Sequence, residues 1–168
     1  SGSSHLAEYV RARFDALDPV ARAVVETLAL CQPLPLAVFD LDQATCLDQL
    51  QAAGLADVDP LTLDVRLAHP VYAEVLSAVI TPVRTRRLLG EVLDRIESGA
   101  AGSTPVAVDS VRTTVWSIDA GRQPAMDALI EAASAARDSR DNHLVERLAR
   151  LAWTGQPGHY PAAQLLVD

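Results

Sequence analysis

Most of this chain repeats its apolar residues every three to four positions, the period of a helix, but one stretch does not. Leu63-Asp64-Val65-Arg66-Leu67 alternates apolar and polar, the period of a half-buried strand. Leu55-Ala56-Asp57-Val58 precedes it as a partner strand. Asp59-Pro60-Leu61-Thr62 supplies turn chemistry between the two, with Pro60 suited to the position just inside a turn. The pattern predicts a short β-hairpin set among helices. Gly54 stands before it, where a left-handed helix terminator is expected. Beyond it, Pro70 opens a helix to about Val79. A residue ahead of proline is steered out of the α region, which places His69 at the N-cap of that helix.

The helices before the hairpin follow from caps and stripes. Residues 4–16 read as a helix capped by Ser4, with Leu6, Val10 and Phe14 on one face. Asp18 caps the next and Pro19 takes its first position. It runs to about Cys31, with Val20, Ala23, Val24, Thr27, Leu28 and Cys31 as its apolar stripe. Gln32-Pro33-Leu34-Pro35 ends it, and 35–41 form a short apolar turn or helix containing Leu36, Val38, Phe39 and Leu41. Asp42 is expected to cap a third helix through about Ala53, with Cys46, Leu47, Leu50 and Ala53 inward. Three helices and then a hairpin is the winged-helix order. Thr81-Pro82 starts a further helix that buries Leu88, Leu89, Val92, Leu93 and Ile96.

Ser98 to Thr104 is the clearest linker. Three segments follow: a winged-helix module at 1–98, a linker at 99–105, and helical hairpins from 106 to 168. In the last, Val106–Ala120 (Val108, Val111, Val115, Trp116, Ile118 inward) ends at Gly121. Pro124–Asp138 buries Met126, Leu129, Ile130 and Ala133. Asp141–Thr154 carries Leu144, Val145, Leu148, Leu151 and Ala152, and another helix starts near Tyr160. The alanines at 132, 133, 135 and 136 allow close helix approach, and the repeat length is tetratricopeptide-like. The fold class predicted is mainly α, with one short β-hairpin. The apolar pattern still runs at Gln164–Asp168, so a piece of a longer protein is expected.

The formal charge is −8, and all fourteen cations are Arg. A chain whose main task is gripping nucleic acid needs clustered cations against phosphate, and this balance argues against it. Cys31 and Cys46 lack zinc or redox spacing and read as buried apolar thiols of a cytoplasmic chain. No apolar run reaches about 18 residues, so no membrane span is expected.

Chemistry is sparse. Phosphate-loop, nucleophile-elbow and zinc-protease motifs are all missing, so no catalytic residue, no metal site and no enzyme activity is expected of this segment. His69 is the leading site candidate. At a helix N-terminus its ring can join an anion site for a nucleotide phosphate; it can equally be a packed histidine bonding a backbone group. Arg84, Arg86 and Arg87 can meet phosphate, nucleic acid or an acidic partner, or form a solvated face paired with Glu91 or Asp94. His143 and His159 lack ligand-like neighbours. Trp116 and Trp153 read as core, or as walls of a small-molecule groove.

Taken in order, several phrases resemble one class of protein. They are Leu17-Asp18-Pro19-Val20-Ala21-Arg22, then Ala53-Gly54-Leu55, then Val65-Arg66-Leu67-Ala68-His69-Pro70-Val71-Tyr72-Ala73-Glu74-Val75-Leu76, followed by an Arg-rich helix. They resemble the winged-helix segment of large actinobacterial LuxR-type transcriptional regulators, members of the signal-transduction (STAND, AAA-like) ATPases. The resemblance implies a regulatory segment that couples the nucleotide state of an ATPase module to a helical sensor arm for an inducer or protein partner. It implies no cofactor here, ATP or ADP with Mg in the ATPase module, and DNA contact through a C-terminal helix-turn-helix. It further implies that His69 contacts the diphosphate of the bound nucleotide. Ala68-His69-Pro70 stands where the better-known motif reads Met-His-Asp, so the aspartate's contact has no counterpart. Two alternatives are a winged-helix DNA-binding transcription factor, which needs a cationic third helix, and a helical-repeat scaffold for protein partners.

Overall fold

A computed structural model describes residues 2–98 and 106–155, with the side chains at 2–4, 6 and 153–155 outside the description. It is mainly helical with one small antiparallel sheet, and it divides into two compact units, Ser1–Val108 and Asp109–Asp168. The predicted linker at 99–105, the helix from Tyr160, His159 and the side chain of Trp153 fall outside the described residues.

The first unit contains α1 (Gly2–Asp15), α2 (Pro19–Cys31), β1 (Leu34–Pro35), a 3-10 turn (Leu36–Val38), α3 (Leu41–Ala52), β2 (Ala56–Val58), β3 (Asp64–Leu67), α4 (Pro70–Ser77) and α5 (Pro82–Ser98). Strand order is β1-β3-β2, so β3 lies in the middle. Val58 faces Val65 and Ala56 faces Leu67 on one side, and Leu34 faces Val65 on the other. This arrangement of strand, helix and hairpin around α2 and α3 is that of a winged helix. The sequence predicts only the two strands of the hairpin, and β1 is a third. β1 escapes that prediction because Pro33 and Pro35 leave Leu34 as the one residue with a free N–H, and proline is admitted only at a sheet edge.

Local chemistry sets the ends of the helices. Asp18 accepts from Val20 and Ala21 N–H at 2.9 and 3.0 Å, and Pro19 begins α2. Gly54, at φ +68°, ends α3: its N–H bonds Gln51 O, and Leu55 N–H reaches Leu50 O. Three boundaries differ from expectation. Helix α1 starts ahead of Ser4, which lies inside it. Asp40, not Asp42, caps α3, because Gln43 at the third position returns a bond to Asp40 N–H and closes a capping box. Helix α4 ends at Ser77 rather than near Val79.

The core lies between α2, α3, α5 and β3. Val24, Leu28 and Val65 are fully buried. Leu88, Leu89, Val92, Leu93 and Ile96 face inward as expected, each large aliphatic contributing about 1.5–3 kcal/mol by leaving water. The stripe of α2 is rotated from the expected one: Ala21 and Val25 are buried while Val20 is exposed. Ala53 is likewise exposed rather than inward, and Leu41, in the apolar segment 35–41, is exposed. Cys31 and Cys46 are buried, Cys31 Sγ donating to Thr27 O at 3.0 Å, and burial pushes the Cys46 thiol upward, with Asp18 adding to the shift.

The second unit contains α6 (Ser110–Asp119), α7 (Met126–Asp138) and α8 (Asn142–Gly155). Helix α6 begins four residues later than expected because Asp109 accepts from Arg112 N–H at 3.0 Å and fixes the start. Helix α7 begins at Met126 rather than Pro124. Leu129, Ala132, Ala133, Leu148, Ala149 and Ala152 form the core, so alanine meets alanine where α7 crosses α8. Ala149 takes the buried place expected of Leu151, which is exposed. Val108, Val111, Val115 and Ile118 are half-buried, and Trp116 is buried with the Arg112 guanidinium 4.7 Å from its ring centre.

The turn from α7 to α8 uses the same 6→1 closure as Gly54, with Asp141 N–H bonded to Ala136 O, but its left-handed residue is Arg140 at φ +60°. An L-residue there carries about 1–2 kcal/mol of backbone strain that glycine lacks, partly offset by glycine's looser unfolded chain. Arg140→Gly is therefore expected to stabilise the chain by about 0.5–1 kcal/mol, read as a raised urea midpoint with an unchanged slope.

Candidate functional site

The site expected from the sequence is the junction where β3 passes into α4. β3 is held on both edges, and Leu67 N–H, beyond the reach of β1, is bonded instead by Gln32 Oε1 at 2.7 Å. Ala68 N–H then bonds Leu55 O. The chain therefore reaches His69 with little freedom. His69 is extended, at φ −142° and ψ 137°, and caps α4 as predicted. Its Nδ1 accepts from Val71 N–H at 3.2 Å. A nitrogen that accepts carries no proton, so the neutral ring holds its proton on Nε2. His69 is exposed, and Nε2 has no partner among the described residues.

The helix terminus itself offers little to an anion. Pro70 has no N–H, Val71 N–H is taken by the ring, and Tyr72 N–H bonds His69 O at 3.0 Å. Whatever His69 contacts must be met by the imidazole and not by a cradle of backbone amides.

Two further residues, Tyr72 and Arg13, brace the junction. The Tyr72 ring lies 6.0 Å from the His69 ring and meets Phe14 edge-on at 5.7 Å. Arg13 of α1 reaches Tyr72 OH at 3.5 Å and Ala53 O at 2.5 Å, joining α1 to α4 and to the end of α3. Tyr72, three residues past the cap, falls within the phrase that drew attention to His69. Arg13 lies 59 positions away and nothing local marks it.

The three arginines at the start of α5 do not act as one group. Arg84 bonds Glu26 on α2, Nε to Oε2 at 2.8 Å, with both side chains largely covered. Arg87 lies 3.9 Å from Glu91, the pairing expected of a solvated face, and Arg86 is exposed. Further along α5, Arg95 reaches Gln43 Oε1 at 2.7 Å and Asp40 Oδ2 at 3.3 Å. His143 is exposed on α8. Among the described residues, no cluster of three or more His, Cys, Asp or Glu could hold a metal ion, and no helix is long and apolar enough to cross a membrane.

The wing is built around Asp59. Its Oδ1 accepts from Thr62 and Leu61 N–H at 3.0 and 2.8 Å, and Arg66 lies 3.7 Å from Oδ2. These N–H bonds, Thr62 foremost, hold its carboxyl below the ordinary value of 3.8, with Arg66 assisting. No protein-family model, curated protein or solved structure matches this chain.

Two predictions follow from this geometry. His69→Ala removes the cap of α4 and is expected to cost about 1 kcal/mol in urea unfolding, whereas His69→Asn, itself a strong cap, retains most of it. For Asp59, a carboxyl depressed by folding stabilises the wing above its ordinary value and loses that contribution as pH falls through the folded value. The Leu61 and Thr62 amide NMR signals should therefore titrate with a midpoint below 3.8; a midpoint at or above it contradicts the bonding.

Proposed function

We propose that this chain is a regulatory segment of a LuxR-type, ATP-dependent transcriptional regulator of the STAND class, acting in the cytoplasm and carrying no catalytic centre of its own. The observation that supports this reading best is the exposed Nε2–H of His69, presented by a ring whose other nitrogen is fixed to Val71. A donor held in this way can bond a diphosphate oxygen of ADP, with its Mg, bound in a neighbouring ATPase module. That bond favours the resting arrangement. Nucleotide exchange removes it, and the bracing of α4 through Tyr72 and Arg13 carries the change into α1 and α3. The helical arm takes the inducer or protein partner, and DNA contact belongs to a helix-turn-helix elsewhere in the regulator. A ligand drives such a switch only through its different affinity for the two arrangements.

Arg84 is committed to Glu26, so of the three arginines Arg86 and Arg87 are the ones left to meet an acidic partner. DNA binding by the winged helix itself finds little support, since α3 bears exposed Asp42 and Asp48 and no cation.

The test uses the regulator with its ATPase module. His69→Ala and His69→Asn are both expected to release bound ADP faster and raise basal activity, although Asn keeps the helix cap. Agreement between the two variants separates sensing from stability. Unchanged ADP retention and basal activity in both would end this reading.

A further inference from the structure

The face formed by α3 and the wing has the place of a DNA-reading surface but a different chemistry. An open groove of about 340 Å³ runs along it, lined by Leu36, Leu41, Ala44, Leu47, Asp48 and Val58 among others. Leu41 is 87% exposed, and at the wing Leu61 is 91% and Leu63 51% exposed. Leu36 N–H bonds Leu63 O at 2.8 Å, so the base of the wing adjoins the groove. Leucines held in water beside an apolar groove mark an interaction surface rather than scattered exposure.

The one charged residue of the groove lining is Asp48, and Asp42 stands beside it on α3. Residues 23–65 contain no Arg or Lys. Asp42 and Asp48 are exposed on α3, whereas the exposed Asp57 stands opposite Arg66 of β3. Asp40 differs, being paired with Arg95 from α5. A phosphate backbone or an anionic headgroup would be repelled here. An occupant must supply apolar side chains to the groove and cations to its rim. A helix laid in a groove, with anchors on one face, meets that requirement.

We infer that this face docks a cationic amphipathic helix of a partner protein, its Leu- or Ile-type anchors in the groove and its Arg or Lys residues against Asp42 and Asp48. The surface involves neither His69 nor nucleotide, so the switch reading and this one fail separately. A second copy is the competing occupant, because the start of α5 offers Val83, 79% exposed, beside Arg86 and Arg87. Such contact is heterologous and leaves a free groove at one end unless it closes into a ring.

The test is fluorescence anisotropy on the full chain with two labelled peptides. Both carry leucine at helical spacing; one has Arg at every polar position and its twin has Glu. The Arg peptide is expected to bind at least about tenfold tighter than its twin, and to weaken with added salt. Leu41→Ser with Leu61→Ser should weaken it about tenfold or more, and Asp42→Arg with Asp48→Arg should reverse the preference. All four side chains are exposed, and an unchanged circular dichroism melt confirms the fold. Equal binding of the two peptides, or binding untouched by either pair of substitutions, overturns the proposal. So does self-association that Val83→Asp and the leucine pair both abolish, which would assign the groove to a second copy.

Discussion

The central strand β3 is the constraint on which the first unit depends. It has a strand on each edge, β1 against Asp64 and Val65 and β2 against Val65 to Leu67, and its two inward side chains, Val65 and Leu67, are buried. A one-residue slip would turn both into solvent and bring Arg66 into the core, so the register is strongly specified. Because the register is fixed, so is the position of His69, two residues past the strand. The Gln32 bond to Leu67 extends that control, since it occupies the one N–H that β1 is too short to reach. A sheet this small contributes little burial, yet it decides where the chain enters α4.

How the helices are held around this strand separates weak interactions from strong ones. Arg84–Glu26 and Arg95–Asp40 both tie α5 to the helices beneath it. Arg95–Asp40 is half-exposed, and such pairs contribute only about 0–1 kcal/mol. The five buried aliphatics of α5 outweigh it several-fold. The arginines therefore orient α5 on a surface that burial already holds. This also accounts for the sequence overstating the Arg84, Arg86, Arg87 cluster: adjacency in the chain does not place three side chains around one anion.

What could be read from the sequence was local. Asp18-Pro19, Gly54, Gly121 and His69-Pro70 act through bonds to residues within five positions, so residue type and spacing suffice. The α5 stripe was legible because its apolar residues keep a strict helical period. The stripe of α2 was not, since Val20, Ala21, Ala23, Val24 and Val25 are all apolar and only the neighbouring elements decide which face turns inward. Asp40 and Asp42 compete as caps, and the choice rests on Gln43 standing three residues after one of them. Two features carried no signal. Arg140 adopts a conformation that glycine or asparagine would have advertised, and Arg13 reaches Tyr72 across a separation no pattern spans. Hence His69 could be placed from the sequence, while the bracing that makes its position definite could not.

The junction and the α3 face lie on opposite sides of one argument about charge. A winged helix that reads DNA needs cations on its third helix. Here that helix is acidic, its first residue is an exposed leucine, and its cap is held by an arginine from α5 rather than offered to phosphate. At the wing, Asp59 uses its carboxylate to fold the turn, and Leu61 and Leu63 are exposed beside it. Leu63 is held at φ +59°, a backbone region where glycine would fit with less strain. A leucine kept in water in a disfavoured conformation is hard to explain by stability. It is readily explained if the wing is shaped for an apolar partner.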